Sequence, residues 1–226
     1  LVEEQMPDTR KYSKYRKVYY KYPIIQDVNT LEAIKPGQIQ LEVVSFANPY
    51  PYHKIEIGCL LLDFLIQNGS EDIAQAYGLR KFKVNVLDVK RTATEKMVSL
   101  LRHSLANDYI TELKSKIRHF YDLHFLWHNN ECRTYMQSDE FRKDFNNLFD
   151  EDQARFKEPV GWQERGIEDS PLLTDLGKVW QELKPIYESE LQELAYQTIP
   201  ESSIIMDSFD ELITKSIKPL ISDLDM

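Results

Sequence analysis

Two segments set ionisable groups into apolar helical spacing: Arg91-Thr-Ala-Thr-Glu-Lys-Met-Val-Ser-Leu-Leu-Arg102 and Lys116-Ile-Arg-His-Phe-Tyr-Asp-Leu-His124. Arg118 and Asp122 stand one helical turn apart and share a face, as do Lys96, Ser99 and His103. Taken singly, the first pair reads as a surface ion pair worth roughly a few tenths of a kcal/mol, and Lys96 as a solvated lysine. A second kind of chemistry is spelled by His124, His128 and Cys132, whose spacing would line up zinc ligands if one helix ran through all three. Asn129-Asn130 is expected to end that helix, so capping and packing are the favoured reading. A third lies in Arg10 to Tyr22, which holds six basic residues and no acidic one. Cations there could meet phosphates and tyrosines could stack on unpaired bases; the plainer reading is a strand with tyrosines on the core and lysines in water.

The elements that must position these groups are legible in outline. Tyr15 to Tyr22 is rich in strand-favouring aromatics and stops at Pro23. Lys35-Pro-Gly37 introduces a second strand, Gln38 to Val44, with Ile39, Leu41 and Val43 on one face and Gln40, Glu42 and Val44 on the other. Lys54 to Gln67 reads as a buried helix ending at Asn68-Gly69. Lys81 to Leu87 alternates strictly and predicts a third strand, followed by a helix capped by Thr92 or Thr94 with Met97, Leu100, Leu101 and Leu105 on its apolar face. A further helix is expected from Thr111 to Trp127, burying Leu113, Ile117, Phe120, Tyr121 and Leu123. Beyond Asn130 the patterns are helical, notably Leu173 to Leu194 and Phe209 to Ile217. A domain change is therefore expected, with an α/β portion over 1–131 and a helical domain over 132–226.

The chain has 226 residues, 42% of them hydrophobic, enough for a sizeable core. The longest apolar run, Ile57 to Ile66, is broken by Asp63 and falls short of the ~20 residues of a membrane span, so no membrane role is expected. Cys59 and Cys132 give no disulfide framework, and the N-terminal residues carry no signal-peptide pattern. The cytoplasm is the expected compartment. The net charge of −9 argues against wholesale coating of nucleic acid, and acidic residues concentrate after Ser138.

Taken together, a strand, Arg-Thr-x-x-Glu-Lys, an apolar helix and then Arg-x-x-x-Asp-Leu resemble the rear motifs of the AbiEii/AbiGii toxin family, nucleotidyltransferases of bacterial toxin–antitoxin and abortive-infection systems. The likeness is strongest over residues 80–128. It implies an α+β fold, with a nucleotidyltransferase-like mixed sheet, flanking helices and a C-terminal helical domain. It also implies that Lys96 and Asp122 are active-site residues in the transfer of a nucleoside monophosphate from an NTP to an acceptor such as tRNA. Lys96 would act as a cation for the triphosphate, and Asp122 would orient the acceptor hydroxyl or serve as its base. Arg118 would hold that carboxylate or touch phosphate. The family's first motif continues to an arginine seven positions after the lysine; here His103 occupies that place and Arg102 the one before, and these two are the candidates for a nucleotide-phosphate contact. Glu42 resembles the third carboxylate of the fold, a Mg²⁺ ligand; as a residue of an alternating strand it reads equally as solvent-facing.

The family begins with a glycine-rich turn and an Asp-x-Asp pair that binds metal, and neither precedes residue 36 in this sequence. Asp223-Leu-Asp225 has no glycine turn before it and is expected to be an acidic tail. The chain is thus expected to hold the rear of a phage-defence toxin, inactive without the front segment and paired with a cognate antitoxin protein. The alternative from another class is a non-catalytic protein- or RNA-binding module derived from the same fold.

Overall fold

A computed structural model of the chain describes residues 2–4, 10–11, 15–23, 37–44, 50–192, 195 and 198–222. It is α+β and divides into two compact units, one formed by residues 1–48 and 93–226 and the other by residues 49–92. The acidic Asp223-Leu-Asp225 lies outside the described residues.

In the larger unit the strands are β1 (Val2–Glu4), β2 (Arg10–Lys11), β3 (Tyr15–Lys21) and β4 (Gln38–Val44). β3 is central, with β4 along one side in the register Val18↔Leu41 and with β1 and β2 sharing the other side. Gly37, at φ 73°, adopts the left-handed conformation that favours glycine and accepts a hydrogen bond from the Tyr22 amide. Both strands expected from the sequence are present. All strand pairs among the described residues are antiparallel, so the mixed sheet expected from the resemblance is not formed among them. Val18 is buried, whereas Ile39, Leu41 and Val43 remain exposed.

The smaller unit pairs β5 (Tyr52–Ile57) with β6 (Phe82–Leu87) and adds α1 (Leu60–Gln67) and α2 (Glu71–Ala76). Leu62, Leu65 and Ala74 form its small core against Leu79. The helix expected from Lys54 is corrected here: residues up to Ile57 are strand and the helix begins at Leu60. Tyr52 to Ile57 alternates in type and pairs with β6, and that cross-strand ladder overrides the dense apolar run that follows it. α3 (Val89–Ser104) begins in this unit. Its cap is Asp88, not Thr92 or Thr94: Asp88 Oδ1 accepts from the Lys90 amide at 2.7 Å and Oδ2 lies 2.7 Å from His53 Nε2. Burial raises the Asp88 carboxyl, but the His53 contact and the Lys90 and Arg91 amides outweigh it and leave the group below its ordinary value.

Among the remaining described residues the regular elements are helices: α4 (Tyr109–Lys114), α5 (Ile117–His128), α6 (Asn130–Met136), α7 (Asp139–Arg155), α8 (Pro171–Thr174), α9 (Leu176–Ile186), α10 (Ser202–Leu212) and α11 (Lys218–Ser222). The single helix expected over residues 111–127 is two, α4 and α5, separated at Ser115–Lys116. Among the described residues no helix is long and apolar enough to cross a membrane. One core runs from Ala93 to Leu220 and crosses residue 131 without a break, so the compact units do not divide where the change of sequence texture suggested. Phe120 is its hub, edge-on to Trp180 at 5.5 Å and to Phe209 at 4.7 Å between ring centroids. At the margin of this core Glu211 accepts from Trp127 Nε1 at 2.9 Å and Arg133 Nη2 at 2.6 Å and also bonds Lys215, tying α5 and α6 to α10.

Phe120→Ala is expected to cost about 3–5 kcal/mol, read as a lowered midpoint in urea unfolding. A second expectation concerns acid. The hydrogen bonds from Lys215 and Trp127 hold Glu211 at about 2, against an ordinary 4.5. A depressed carboxylate stabilises the fold above its unfolded value and loses that contribution as pH falls toward the folded one. Melting temperature should therefore fall less steeply between pH 4.5 and 2 in Glu211→Gln than in the parent chain.

Candidate functional site

α3 buries Met97, Leu100 and Leu101 completely, and that rotation leaves Lys96, Ser99 and His103 along another face. α5 buries Ile117, Phe120, Leu123 and Trp127; beside that buried face it carries His119 and, one turn on, Asp122, while Lys116 is the residue that precedes its first turn. The two polar faces meet in opposite senses. At one end Lys96 Nζ donates to Asp122 Oδ2 at 2.6 Å, with side chains 22% and 38% exposed. At the other, Lys116 lies within electrostatic reach of His103, Arg102 and Glu112. His119 feels both ends, being lowered by the charges of Lys96 and Lys116.

The histidines of this groove are neutral. Burial is the main cause in each case, and neighbouring cations add to it: His103 lies at about 4 beside Lys116 and Arg102, and His119 at about 4 beside Lys96 and Lys116. His103 Nδ1 donates to the Ser99 carbonyl at 2.6 Å, and its Nε2 stands 3.8 Å from Glu112 Oε2, beyond hydrogen-bond range. Lys116 is lowered by burial and by Arg102, an effect that Glu112 opposes. Lys116 and exposed Arg118 make no ion pair among the described residues. The groove therefore gathers cations that its carboxylates do not fully match, a distribution suited to a polyanion.

Lys96 and Asp122, expected on separate motifs of one site, are thus in contact. Arg118 does not hold the Asp122 carboxylate, whose hydrogen bond comes from Lys96. Arg102 is taken up elsewhere: its Nη1 donates to Asp152 Oδ2 on α7 at 2.8 Å, and its guanidinium lies 4.7 Å from the Phe156 ring centroid and 5.9 Å from that of Trp162. His103 is buried, its Nδ1 committed to its own helix. Glu42 lies on β4, with Lys17 Nζ at 3.0 Å and Gln40 as a further partner. No group of three His, Cys, Asp or Glu able to hold a metal ion occurs among the described residues. The Mg²⁺ that the resemblance implies therefore has no all-protein site of three such ligands among the described residues. The zinc alignment does not assemble: α5 ends at His128, His124 Nδ1 lies 2.7 Å from Ser208 Oγ, His128 Nδ1 donates to the His124 carbonyl, and Cys132 is buried.

His119, Lys116 and Glu112 were missed in the sequence. The available signal was the three-residue spacing of His119 and Asp122, which places them on neighbouring turns of one helix as clearly as the four-residue spacing of Arg118 and Asp122. A second Asp-x-Asp, Asp150-Glu-Asp152 on α7, also went unremarked; its Asp152 is the partner of Arg102.

A family model described as "Nucleotidyl transferase AbiEii toxin, Type IV TA system" matches residues 2–215. The chain belongs to the AbiEii family. Comparison with curated proteins and with solved structures gave no match. The AbiEii proteins are nucleotidyltransferase toxins of type IV toxin–antitoxin systems, which is the family that the Lys96 and Asp122 motifs resembled.

Burial raises Asp152 and lowers Arg102, each charge paying in desolvation what the other returns in attraction. Asp152→Ala would leave the guanidinium without its carboxylate between two aromatic rings. The side chains are 16% and 15% exposed, so the expected loss is about 2–4 kcal/mol, somewhat below that of a fully buried pair. Chemical denaturation of the variant against the parent chain measures it.

Proposed function

We propose that the intact protein transfers a nucleoside monophosphate from an NTP to an acceptor, with the end of a tRNA as the acceptor to test first. In this reading it is the toxin of an abortive-infection pair, acts in the cytoplasm against phage and is restrained by a cognate antitoxin. One observation carries the proposal: the lysine and the aspartate that the family's rear motifs mark meet at 2.6 Å across α3 and α5, beside Lys116 and Arg118, which form no ion pair among the described residues.

The chemistry follows from charge. Phosphoryl transfer asks the protein to hold a polyanion and to position a nucleophile. Lys96 releases Asp122 when a triphosphate offers it more negative charge than one carboxylate does. The freed carboxylate then faces the acceptor hydroxyl as a hydrogen-bond acceptor and base. Lys116 and Arg118, which form no ion pair among the described residues, add electrostatic attraction for phosphate.

Lys96→Ala should lower nucleotide transfer about 10²–10³-fold, and Asp122→Ala about 10²–10⁴-fold. The pair is partly exposed, so its loss costs the fold only about 1 kcal/mol or less, and both variants should melt within a few degrees of the parent. The assay follows label from an α-³²P NTP into total tRNA and, in parallel, growth arrest on expression. Undiminished transfer by both variants would remove this assignment.

A further inference from the structure

We infer that His119 is a phosphate-positioning residue of the α3–α5 groove, which presents its Nε2–H as a donor to the polyanion that Lys96 and Lys116 attract. The inference rests on the reading of this groove as the triphosphate site, and it adds a residue and a chemical state to that reading.

The geometry of the ring leads to it. His119 and Asp122 stand one turn apart on α5, Lys116 is the residue before its first turn, Lys96 and Lys116 both act on His119, and Asp122 bonds Lys96 of α3. His119 therefore sits between the two ends of the groove. Its Nδ1 is buried and has no hydrogen-bond partner, so Nε2 is the nitrogen through which the ring can meet a ligand. A neutral imidazole carries one N–H. On Nδ1 that hydrogen would be an orphaned buried donor, the rarer and costlier defect; on Nε2 it leaves only an unfilled acceptor inside.

The surroundings oppose a second proton. Lys96 faces the ring from α3, and Lys116, Arg118 and Asp122 act on it from its own helix, with three cations against one carboxylate. His103 of α3 is close enough to feel His119 and is itself neutral, and Glu112 of α4 lies against His103. His119 thus supplies direction where the lysines supply charge: a ring held by burial offers one N–H along a fixed line, whereas an ammonium offers three that rotate.

Glutamine places its amide nitrogen near the position of imidazole Nε2, and asparagine places it nearer Nδ1. Binding of inorganic tripolyphosphate to the full chain, measured by titration calorimetry at fixed salt, separates the possibilities. H119Q should bind within about threefold of the parent, while H119N and H119A weaken binding about tenfold at unchanged melting temperature. Equal affinity in the parent and all three variants, with K96A weakened, overturns the role of His119 and leaves the groove standing. An H119Q loss as large as that of H119A overturns the donor assignment. Absence of binding by the parent chain itself overturns the groove reading and this inference with it. A measurement that needs no variant stands beside these: long-range ¹H–¹⁵N spectra of the parent at pH 7 should show His119 protonated at Nε2 alone. A ring protonated at Nδ1, or at both nitrogens, overturns the inference.

Discussion

The need of α5 to bury Phe120, Leu123 and Trp127 governs the rest of the helical unit. Each is nearly or wholly removed from solvent, and at ~25 cal/mol per Å² of apolar surface such side chains outweigh any surface ion pair several-fold. Their burial fixes the rotation of the helix about its own axis. Once that rotation is set, His119 and Asp122 have no freedom to face elsewhere. Buried Met97, Leu100 and Leu101 do the same for α3, and the polar groove is where the two residual faces meet.

The groove shows how burial and charge act together. Histidines gathered among lysines and arginines lose their protons, because desolvation and like charge both disfavour the ionised ring. The carboxylates are apportioned: Asp152 serves Arg102, Asp122 serves Lys96, and Glu112 lies near His103 without a hydrogen bond. A buried network beside the groove keeps α3 aligned, with Thr94 donating to Tyr135, whose hydroxyl donates to Asp144. Burial, together with Asp144, pushes the Tyr135 phenol above the ordinary tyrosine range, so it remains a donor at any physiological pH.

Strand-favouring aromatics made β3 legible, alternation made β4 and β6 legible, and apolar spacing made α3 and α5 legible, because those patterns follow from local backbone geometry and side-chain preference. β5 was not, since its short alternation runs straight into the dense apolar stretch of α1 and is fixed as a strand by its pairing with β6. The break between α4 and α5 was hidden because Ser115 and Lys116 are ordinary helix residues; the turn there is set by packing. Lys96 and Asp122 stood out through their motif context. Arg102 was misleading for the opposite reason: its sequence neighbours say nothing of Asp152, Phe156 and Trp162, which lie about 50 residues further on and engage it through the fold. His119 was passed over because histidine in an apolar helix is usually core, and only a sealed Nδ1 between two lysines distinguishes it.

The contacts that lock α5 come late in the chain. His124 and Trp127 bond Ser208 and Glu211, each separated by 84 residues, and Phe120 leans on Phe209. A ribosome making this protein releases α3 and α5 well before α10. Through that interval α5 has a hydrophobic side with no α10 to cover it, and the groove has no fixed geometry. Assembly of the groove therefore waits on the synthesis of α10, whose locking side chains lie 84 residues after their partners on α5.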